Sequence, residues 1–488
     1  FIGSAGGEFD VRGYLDAYDA ETGARLWRFW TVPGNPALGF ENATMEMAAA
    51  TWKEAGWWEK GPGGTVWDAI TYDPETDLVM FGTGNGAPWD AVVRDSGGGD
   101  NLFLSSIVAV HAKDGSYAWH YQETPWETWD YDTGQQLMVL DLELEGSMRH
   151  VVTQASKNGF FYVLDVATGE LLSAEPYTDV NWATGVNMET GRPFVVPEAR
   201  YNVTGKVFNL VPGPAGGHAW QPVSYSPQTG LVYIPATTHR SLVGSFDARQ
   251  EHLKEFPDTI QSFTGRLLAW DPVLNREVWR SEEFINPRGG VQVTGGALAT
   301  AGNLVFHGNL PRQEFVAYRA TDGKRLWAFD TKTAVFPGAI SYQLDGEQYV
   351  AIAVGGPVQG GYYAPNGARL LVFKLGSTMA LPDLPEFTQR PIAPPPQFAA
   401  TDLIRRGAQV FDANCMRCHG QGGAARSTFP DLRRSPALHD QTLFDSIVIT
   451  GVLSTNGMAS FRGQLADGDT VALRAYLIEQ AQTALAGQ

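Results

Sequence analysis

The chain has 488 residues, of which 55 are glycine and 15 are tryptophan, and only 18% are charged. This length exceeds one ordinary domain, and the composition is typical of many short strands joined by tight turns. The net charge of −18 argues against nucleic acid and anionic membrane surfaces as partners. Because no apolar run reaches transmembrane length, we expect no direct membrane span.

A short motif recurs through the first three quarters of the chain. It begins with a small or apolar residue, passes through a polar turn and ends in tryptophan, with copies at 17–27, 109–119, 269–279 and 317–327 and a degenerate copy at 163–169. The copies begin about 50 residues apart or about twice that, a period typical of a β-propeller built from small antiparallel sheets. The tryptophans are therefore predicted to pack between neighbouring blades. Residues 78–82 and 231–235 are predicted as further apolar strands.

The character of the sequence changes after Leu375, where the repeat ends. The segment that follows is rich in proline, which predicts an extended linker. Beyond the linker, helical spacing runs from Asp402 to Phe411 and from Thr470 to Ala484. We therefore predict an all-β propeller over residues 1–376, a linker over 377–399 and a small all-α domain over 400–488.

The only two cysteines of the chain lie in the segment Cys415-Met416-Arg417-Cys418-His419. In this spacing the two cysteines attach a c-type haem and the histidine ligates its iron. A zinc site completed by a histidine such as His439, and a disulfide between the two cysteines, are the alternatives. Haem is the prediction, so the helical domain is expected to be a cytochrome c domain. Because haem c is attached outside the bacterial cytoplasm, we expect a periplasmic protein.

Met458 is the predicted sixth ligand of the iron. It lies on a glycine-containing loop that resembles the Gly-Met-Pro-x-Phe stretch of class I cytochromes c, with Ala459 where proline is usual. A histidine and methionine pair raises the reduction potential, which suits electron transfer. The alternative is that this methionine only fills the core.

Five segments of the propeller resemble the quinohaemoprotein alcohol dehydrogenases, which depend on pyrroloquinoline quinone (PQQ). They are residues 3–8, 63–68, 81–89, 129–132 and 156–159. The resemblance implies an eight-bladed quinoprotein propeller, here incomplete. It also implies oxidation of alcohols to aldehydes or ketones by hydride transfer to metal-bound PQQ, with electron transfer to the haem. Because residue 1 is phenylalanine and the pattern of residues 1–3 is typical of the middle of a strand, we expect an N-terminally truncated chain.

The resemblance assigns cofactor-binding roles residue by residue. The backbone of Gly6 and Gly7 would approach the quinone, because glycine has no Cβ in the way. Thr65 would hydrogen-bond the cofactor, and the indole of Trp67 would lie beneath its rings. Lys157 matches a cationic residue that contacts the quinone oxygens. In one departure from the family, Ala219 stands where an asparagine is usual.

The resemblance also implies a metal site and a catalytic base. Glu8 and Asn85 match metal ligands, and carboxylate and amide oxygens suit a hard cation. Asp130 matches the base that takes the alcohol proton, and it is expected to lie at the metal as well. Asp132 lies two residues after Asp130, so in an extended segment both side chains would lie on the same face. Members that use lanthanides carry this second aspartate, so we favour a lanthanide over calcium.

Two alternatives to this function stay open at the level of sequence. The first is a non-catalytic propeller scaffold that carries a tethered cytochrome. The second is a PQQ dehydrogenase of sugars, aldehydes or polymer alcohols. The expected electron acceptor is a soluble cytochrome or cupredoxin, or a membrane subunit that reduces quinone.

Overall fold

A computed structural model describes residues 1–7, 11–257, 262–285, 294–355, 367–384, 388–425 and 429–487. Short strands dominate the chain as far as Lys374. In chain order they are β1 (Ile2–Gly3), β2 (Val11–Arg12), β3 (Tyr14–Tyr18), β4 (Arg25–Trp30), β5 (Pro62–Gly63), β6 (Ile70–Asp73), β7 (Leu78–Gly82), β8 (Ser106–His111), β9 (Tyr117–Gln122), β10 (Met138–Leu144), β11 (Ser147–Ala155), β12 (Phe160–Asp165), β13 (Leu171–Pro176), β14 (Ala183–Val186), β15 (Pro193–Val195), β16 (Phe208–Leu210), β17 (Ser224–Ser226), β18 (Leu231–Val243), β19 (Ser262–Asp271), β20 (Arg276–Arg280), β21 (Phe284–Ile285), β22 (Thr294–Thr300), β23 (Leu304–Asn309), β24 (Glu314–Arg319), β25 (Arg325–Asp330), β26 (Ile340–Leu344), β27 (Glu347–Val354) and β28 (Arg369–Lys374).

The strands pair into successive antiparallel sheets, as expected for the blades of a propeller. Four-stranded sheets have the orders β6-β7-β8-β9, β10-β11-β12-β13 and β22-β23-β24-β25, and three-stranded sheets have the orders β1-β3-β4 and β26-β27-β28. A larger sheet is built around β18 and β19, and β14 pairs with β15. Strand β7 has its predicted bounds, whereas β18 extends beyond the predicted 231–235 because its pairing with β19 continues as far as Arg240 and Ser262.

Three tryptophans of the repeat join one blade to the next, as predicted. The indole N–H of Trp27 donates to Ala112 O at 3.1 Å, that of Trp119 donates to Val166 O at 2.8 Å, and that of Trp279 donates to Ala320 O at 2.9 Å. Each acceptor belongs to the turn of the following copy of the motif. A Cβ added at Gly169 in one such turn would lie 2.5 Å from the ring of Trp119, so the ring packs directly on the backbone.

The remaining secondary structure is helical and is concentrated after residue 400. The α-helices are α1 (Ala43–Ala49), α2 (Ala91–Arg94), α3 (Tyr201–Thr204), α4 (Phe246–Glu255), α5 (Thr401–Asn414), α6 (Met416–His419), α7 (Gln441–Asp445) and α8 (Asp469–Ala486). Short 3-10 helices cover Pro36–Leu38, Trp57–Lys60, Pro197–Ala199, Gln421–Gly423, Leu432–Arg434, Pro436–His439 and Ser454–Asn456, and Ser446–Thr450 is a π-helical turn.

Helices α5 and α8 form the core of the C-terminal domain, and each extends slightly beyond its predicted bounds. Phe411 of α5 packs in one buried cluster with Leu477 and Ile478 of α8. A Cβ at Gly407 would lie 1.9 Å from Ala472 O, so this glycine allows the two helices to cross closely. The predicted domain limits at 376 and 400 stay predictions. Among the described residues, no helix combines the length and the apolar character that crossing a bilayer requires.

Polar contacts join the propeller to the C-terminal domain through α4 and α5. Asp247 accepts a hydrogen bond from Gln409 at 2.9 Å and forms an ion pair with Arg405 at 2.9 Å. Arg249 forms a second ion pair with Asp412. Helix α5 leads directly into the Cys-x-x-Cys-His segment, so these contacts fix that segment relative to the blades.

The docking of Trp119 on the next turn makes a prediction about stability. Replacing a buried tryptophan by alanine removes its packing and leaves a cavity, so Trp119→Ala should lower the free energy of unfolding by about 3–5 kcal/mol. Chemical denaturation followed by far-UV circular dichroism measures the loss. Trp327→Ala provides the control. Because Trp327 is already 38% exposed, its replacement should lower the free energy of unfolding by less. Equal losses for the two variants would contradict blade docking by Trp119.

Candidate active site and haem site

The polar residues singled out by the sequence lie in loops at the ends of neighbouring blades. Asn85 follows β7, and Lys157 follows β11. Asp130 and Asp132 lie between β9 and β10, in the loop that joins two blades. Because each residue follows or precedes a strand whose register is fixed by its sheet, the blades determine how these loops approach one another.

Lys157 brings the two aspartates together. Its ammonium Nζ lies 2.6 Å from Asp132 Oδ2 and 3.0 Å from Asp130 Oδ2. The side chains of Lys157 and Asp132 are each 9% exposed, and that of Asp130 is 15% exposed. Burial alone would lower the pKa of Lys157, but the charges of Asp130 and Asp132 outweigh it and hold the pKa above its ordinary value. The lysine is therefore a buried cation.

The second oxygen of Asp132 reaches the other predicted site residues. Its Oδ1 accepts the backbone N–H of Asn85 at 3.0 Å and the indole N–H of Trp67 at 3.4 Å. The side-chain Nδ2 of Asn85 donates to Gly86 O at 3.1 Å. Because the amide nitrogen is engaged in this way, its oxygen is the atom suited to a hard cation. Asn85, Trp67, Asp132 and Lys157 thus form one connected group.

The surroundings of Thr65 and Trp67 can accept a flat cofactor. Thr65 is buried, and a Cβ added at Gly7 would lie 3.1 Å from its hydroxyl. Gly6, which has a φ of 82°, adopts the left-handed conformation that favours glycine. The indole of Trp67 packs on Gly134, yet 37% of the residue is exposed, which leaves aromatic surface for a planar ring.

One predicted metal ligand cannot be placed. Glu8 lies outside the described residues. In the part of the chain that the structure describes, histidine, cysteine, aspartate and glutamate form no group of three or more suited to a metal. The predicted ligands found together there are Asp130, Asp132 and Asn85, a set of oxygen donors that fits a hard cation and not zinc.

Two buried glutamates beside the site were not predicted from the sequence. Glu123 Oε2 accepts hydrogen bonds from Ser156 Oγ at 2.6 Å and from Thr133 Oγ1 at 3.0 Å. Burial raises the pKa of Glu123 to about 8, although these two bonds oppose the rise. Glu127 is fully buried and binds the backbone around Asp130. A single sequence offers no sign that distinguishes a buried glutamate from a solvated one.

The C-terminal domain places two of the predicted haem residues against one buried cluster. Cys415 and Met458 both pack against the core of α5 and α8. His419 is 6% exposed, and its Nδ1 lies 3.3 Å from Pro430 O. Because a carbonyl only accepts, Nδ1 carries the proton and Nε2 is left for a metal. Burial lowers the pKa of His419, which favours the neutral imidazole.

The alternatives to haem find no support at this motif. Both cysteines are among the described residues, and no disulfide joins Cys415 to Cys418. His439, the histidine considered for zinc, is exposed, and its Nε2 lies 2.8 Å from Ala393 O.

Comparison with known proteins identifies the family. The model of the glucose/ethanol/alcohol dehydrogenase β-propeller domain matches residues 4–181 and 264–350, and the model of cbb3-type cytochrome c oxidase subunit III matches residues 402–477. The dehydrogenase subunit of the quinone alcohol dehydrogenase of Acetobacter aceti is 39% identical over 98% of this chain and 68% of its own length. The chain belongs to the quinohaemoprotein alcohol dehydrogenases.

Solved structures agree with this membership. The quinohaemoprotein alcohol dehydrogenase ADHIIG of Pseudomonas putida matches with a TM-score of 0.84 and 38% identity, over 99% of this chain and 74% of that one. A europium-containing methanol dehydrogenase matches with a TM-score of 0.60 and 29% identity, over 72% of this chain and 63% of that one. The predicted fold, enzyme class and PQQ and haem c cofactors are those of the family and are confirmed.

The environment of Glu123 predicts a pH dependence of stability. Because its pKa rises from 4.5 to about 8 on folding, the contribution of this group to stability is fully present below pH 4.5 and is lost as pH increases to about 8. Glu123→Gln, which cannot titrate, should lack this part of the pH dependence. Thermal unfolding of both proteins between pH 4.5 and 8.5, in the presence of a chelator, isolates the effect. Parallel curves would show that Glu123 is not buried as a neutral acid.

Proposed function

We propose that the pair Asp130 and Asp132, with Lys157 between them, is the site at which this chain oxidises an alcohol to an aldehyde or ketone in the periplasm. The observation that supports this proposal most strongly is the burial of two carboxylates and one ammonium at a single point. Removing charged groups from water is costly, and a propeller scaffold has no need of such a group. The non-catalytic alternative leaves this arrangement without a reason.

The residues around Asp130 and Asp132 fit both a quinone cofactor and the metal ion bound to it. Thr65, Trp67 and the backbone of Gly6 and Gly7 would hold PQQ. Lys157 would contact its oxygens. The ligands proposed for the cation are Glu8, Asn85, Asp130 and Asp132. When bound, PQQ would accept the hydride from the alcohol carbon, and the metal would polarise the quinone carbonyl.

Asp130 is proposed as the general base. One of its oxygens faces the ammonium of Lys157 at 3.0 Å, and a neighbouring cation favours the ionised carboxylate that a base requires. An alcohol placed against this carboxylate would transfer its hydroxyl proton to Asp130 as the hydride leaves its carbon for the quinone. The lysine fixes the direction of the carboxylate, so the base needs little reorganisation.

Asp132 is proposed to favour a lanthanide at this site. It adds a second negative charge two residues after Asp130, and both carboxylates lie against the same ammonium. With the ammonium displaced from Asp132, the two carboxylates would offer the negative charge suited to a trivalent ion, because ligand charge tunes the affinity of oxygen sites. The similarity to a europium-containing methanol dehydrogenase adds support to this choice over calcium.

The haem domain is proposed as the exit for electrons. Cys415 and Cys418 would attach the haem, and His419 and Met458 would ligate its iron, a pair that raises the reduction potential. The contacts of α4 with α5 hold this domain against the propeller. A soluble cytochrome or cupredoxin, or a membrane subunit that reduces quinone, would accept the electrons next.

Removing the base tests the proposed chemistry. Asp130→Asn keeps the size of the side chain but cannot take the alcohol proton at neutral pH, so haem reduction by alcohol should fall by at least about 10²-fold. Stopped-flow absorbance of the haem after reconstitution with PQQ and metal measures the rate. Reduction by dithionite and the haem spectrum should be unchanged. Turnover at the wild-type rate would remove Asp130 as the base.

Changing the charge at residue 132 tests the choice of metal. Asp132→Asn removes one negative charge, so the ratio of La³⁺ to Ca²⁺ affinity should fall by at least about tenfold. Metal titration by calorimetry in the presence of PQQ measures both affinities. Asp141→Asn is the matched control, because the Asp141 side chain is 67% exposed and should leave the ratio unchanged. An unchanged ratio for Asp132→Asn would place this carboxylate outside the metal site.

A further inference from the structure

The proposed base sits in an unusual backbone conformation. Asp130 has a φ of 68°. This value lies in the left-handed region, which is uncommon for residues other than glycine. Such a conformation costs about 1–3 kcal/mol and persists only where surrounding contacts impose it. Something in the loop must therefore hold the backbone on both sides of this residue.

The carboxylate of Glu127 holds both sides. Its Oε1 accepts the backbone N–H of Trp129 at 2.5 Å and the backbone N–H of Tyr131 at 2.9 Å. These are the residues immediately before and after Asp130. A single oxygen atom thus closes a tight turn whose apex is the proposed base. Both bonds share one buried acceptor, so removing that oxygen would leave two backbone amides without a partner.

Glu127 is itself held in place by buried groups. The residue is 0% exposed, and its backbone carbonyl accepts a hydrogen bond from Arg94 Nη2 at 2.5 Å. Arg94 is also buried, and it donates to Pro88 O at 2.6 Å through Nη1. Arg94 thus holds the backbone of Glu127 from a buried position, and the place of the carboxylate is set by the fold and not by solvent.

The neighbours of the base are anchored independently through their side chains. The indole N–H of Trp129 donates to Ala199 O at 2.9 Å, and the hydroxyl of Tyr131 donates to Pro212 O. The guanidinium of Arg200 lies 4.4 Å from the centre of the Trp129 ring. These contacts fix where the loop lies. They do not engage the two N–H groups that shape the turn at Asp130, because Glu127 binds both.

We propose that Glu127 is a positioning residue for the base, and that its hydrogen bonds to the amides of Trp129 and Tyr131 aim the Asp130 carboxylate at the alcohol. This inference rests on the proposed role of Asp130. Without the acceptor, the turn relaxes towards an ordinary conformation and the carboxylate moves. A displacement of about 1 Å at a reacting group costs about 10²-fold in rate.

A matched pair of variants isolates the acceptor. Glu127→Gln keeps an oxygen that can accept from both amides, whereas Glu127→Met has similar length but no strong acceptor. We expect kcat for alcohol-driven haem reduction to fall by about 10²-fold in Glu127→Met and by less than about fivefold in Glu127→Gln. KM should change by less than about threefold in both. Glu175→Gln, an exposed strand residue, should match the wild type.

The measurements use the chain reconstituted with PQQ and metal, and rates are expressed per bound PQQ. A merely structural role for Glu127 would lower the melting temperature or the PQQ content and leave kcat per bound PQQ unchanged, and that result would overturn the proposal. If Glu127→Met does not fold, Glu127→Gln decides alone. A loss of more than about tenfold in Glu127→Gln, with full PQQ and haem content, would show that the acceptor oxygen is not what positions the base.

Asp130→Asn, measured in the same experiment, separates this inference from the proposed function. If Asp130→Asn is inactive and Glu127→Met turns over normally, only the positioning role of Glu127 fails. If Asp130→Asn turns over normally, the assignment of the base fails, and the positioning role fails with it. Both the base and the positioning role are supported if turnover is lost in Asp130→Asn and in Glu127→Met but is retained in Glu127→Gln.

Discussion

The buried ion pairs of Lys157 with Asp130 and Asp132 are the interaction on which the rest of the site depends. Three ionisable groups have been taken out of water, and each would be costly to bury alone. Removing one partner of such a buried group costs about 3–5 kcal/mol, because a charge is left without compensation. The loop that follows β9 and the turn that follows β11 must therefore meet for the site to be stable.

The propeller holds these two segments close to each other. Three tryptophans of the repeat dock their blades on the next ones through the turns at Ala112, Val166 and Ala320. With the blades fixed, the loops at their ends carry the polar residues, which is the usual division between a rigid scaffold and functional loops. The same scaffold positions the haem, because α4 projects from the blades and pairs with the helix that leads to the haem motif.

Much of this could be predicted from the sequence because it depends on local patterns. The repeated tryptophan motif predicted the blades, and the spacing of Cys415, Cys418 and His419 predicted the haem. The resemblance to the quinohaemoprotein alcohol dehydrogenases identified Asn85 and Asp132 as site residues, and the structure brings these two residues together. What the sequence could not predict arises from tertiary packing. The burial of Glu123 and Glu127 and the extension of β18 depend on how other segments pack around them, and no local pattern encodes that packing.

A crystal structure of the chain loaded with PQQ and La³⁺ tests the central claim most directly. Anomalous scattering locates the lanthanum without reference to the protein. The account predicts a peak bounded by Asp130, Asp132 and the side chain of Asn85, with the Lys157 ammonium displaced from Asp132, because both cations need the same carboxylate oxygens. A peak elsewhere, or an unaltered pair of Lys157 with Asp132 beside the metal, would contradict it.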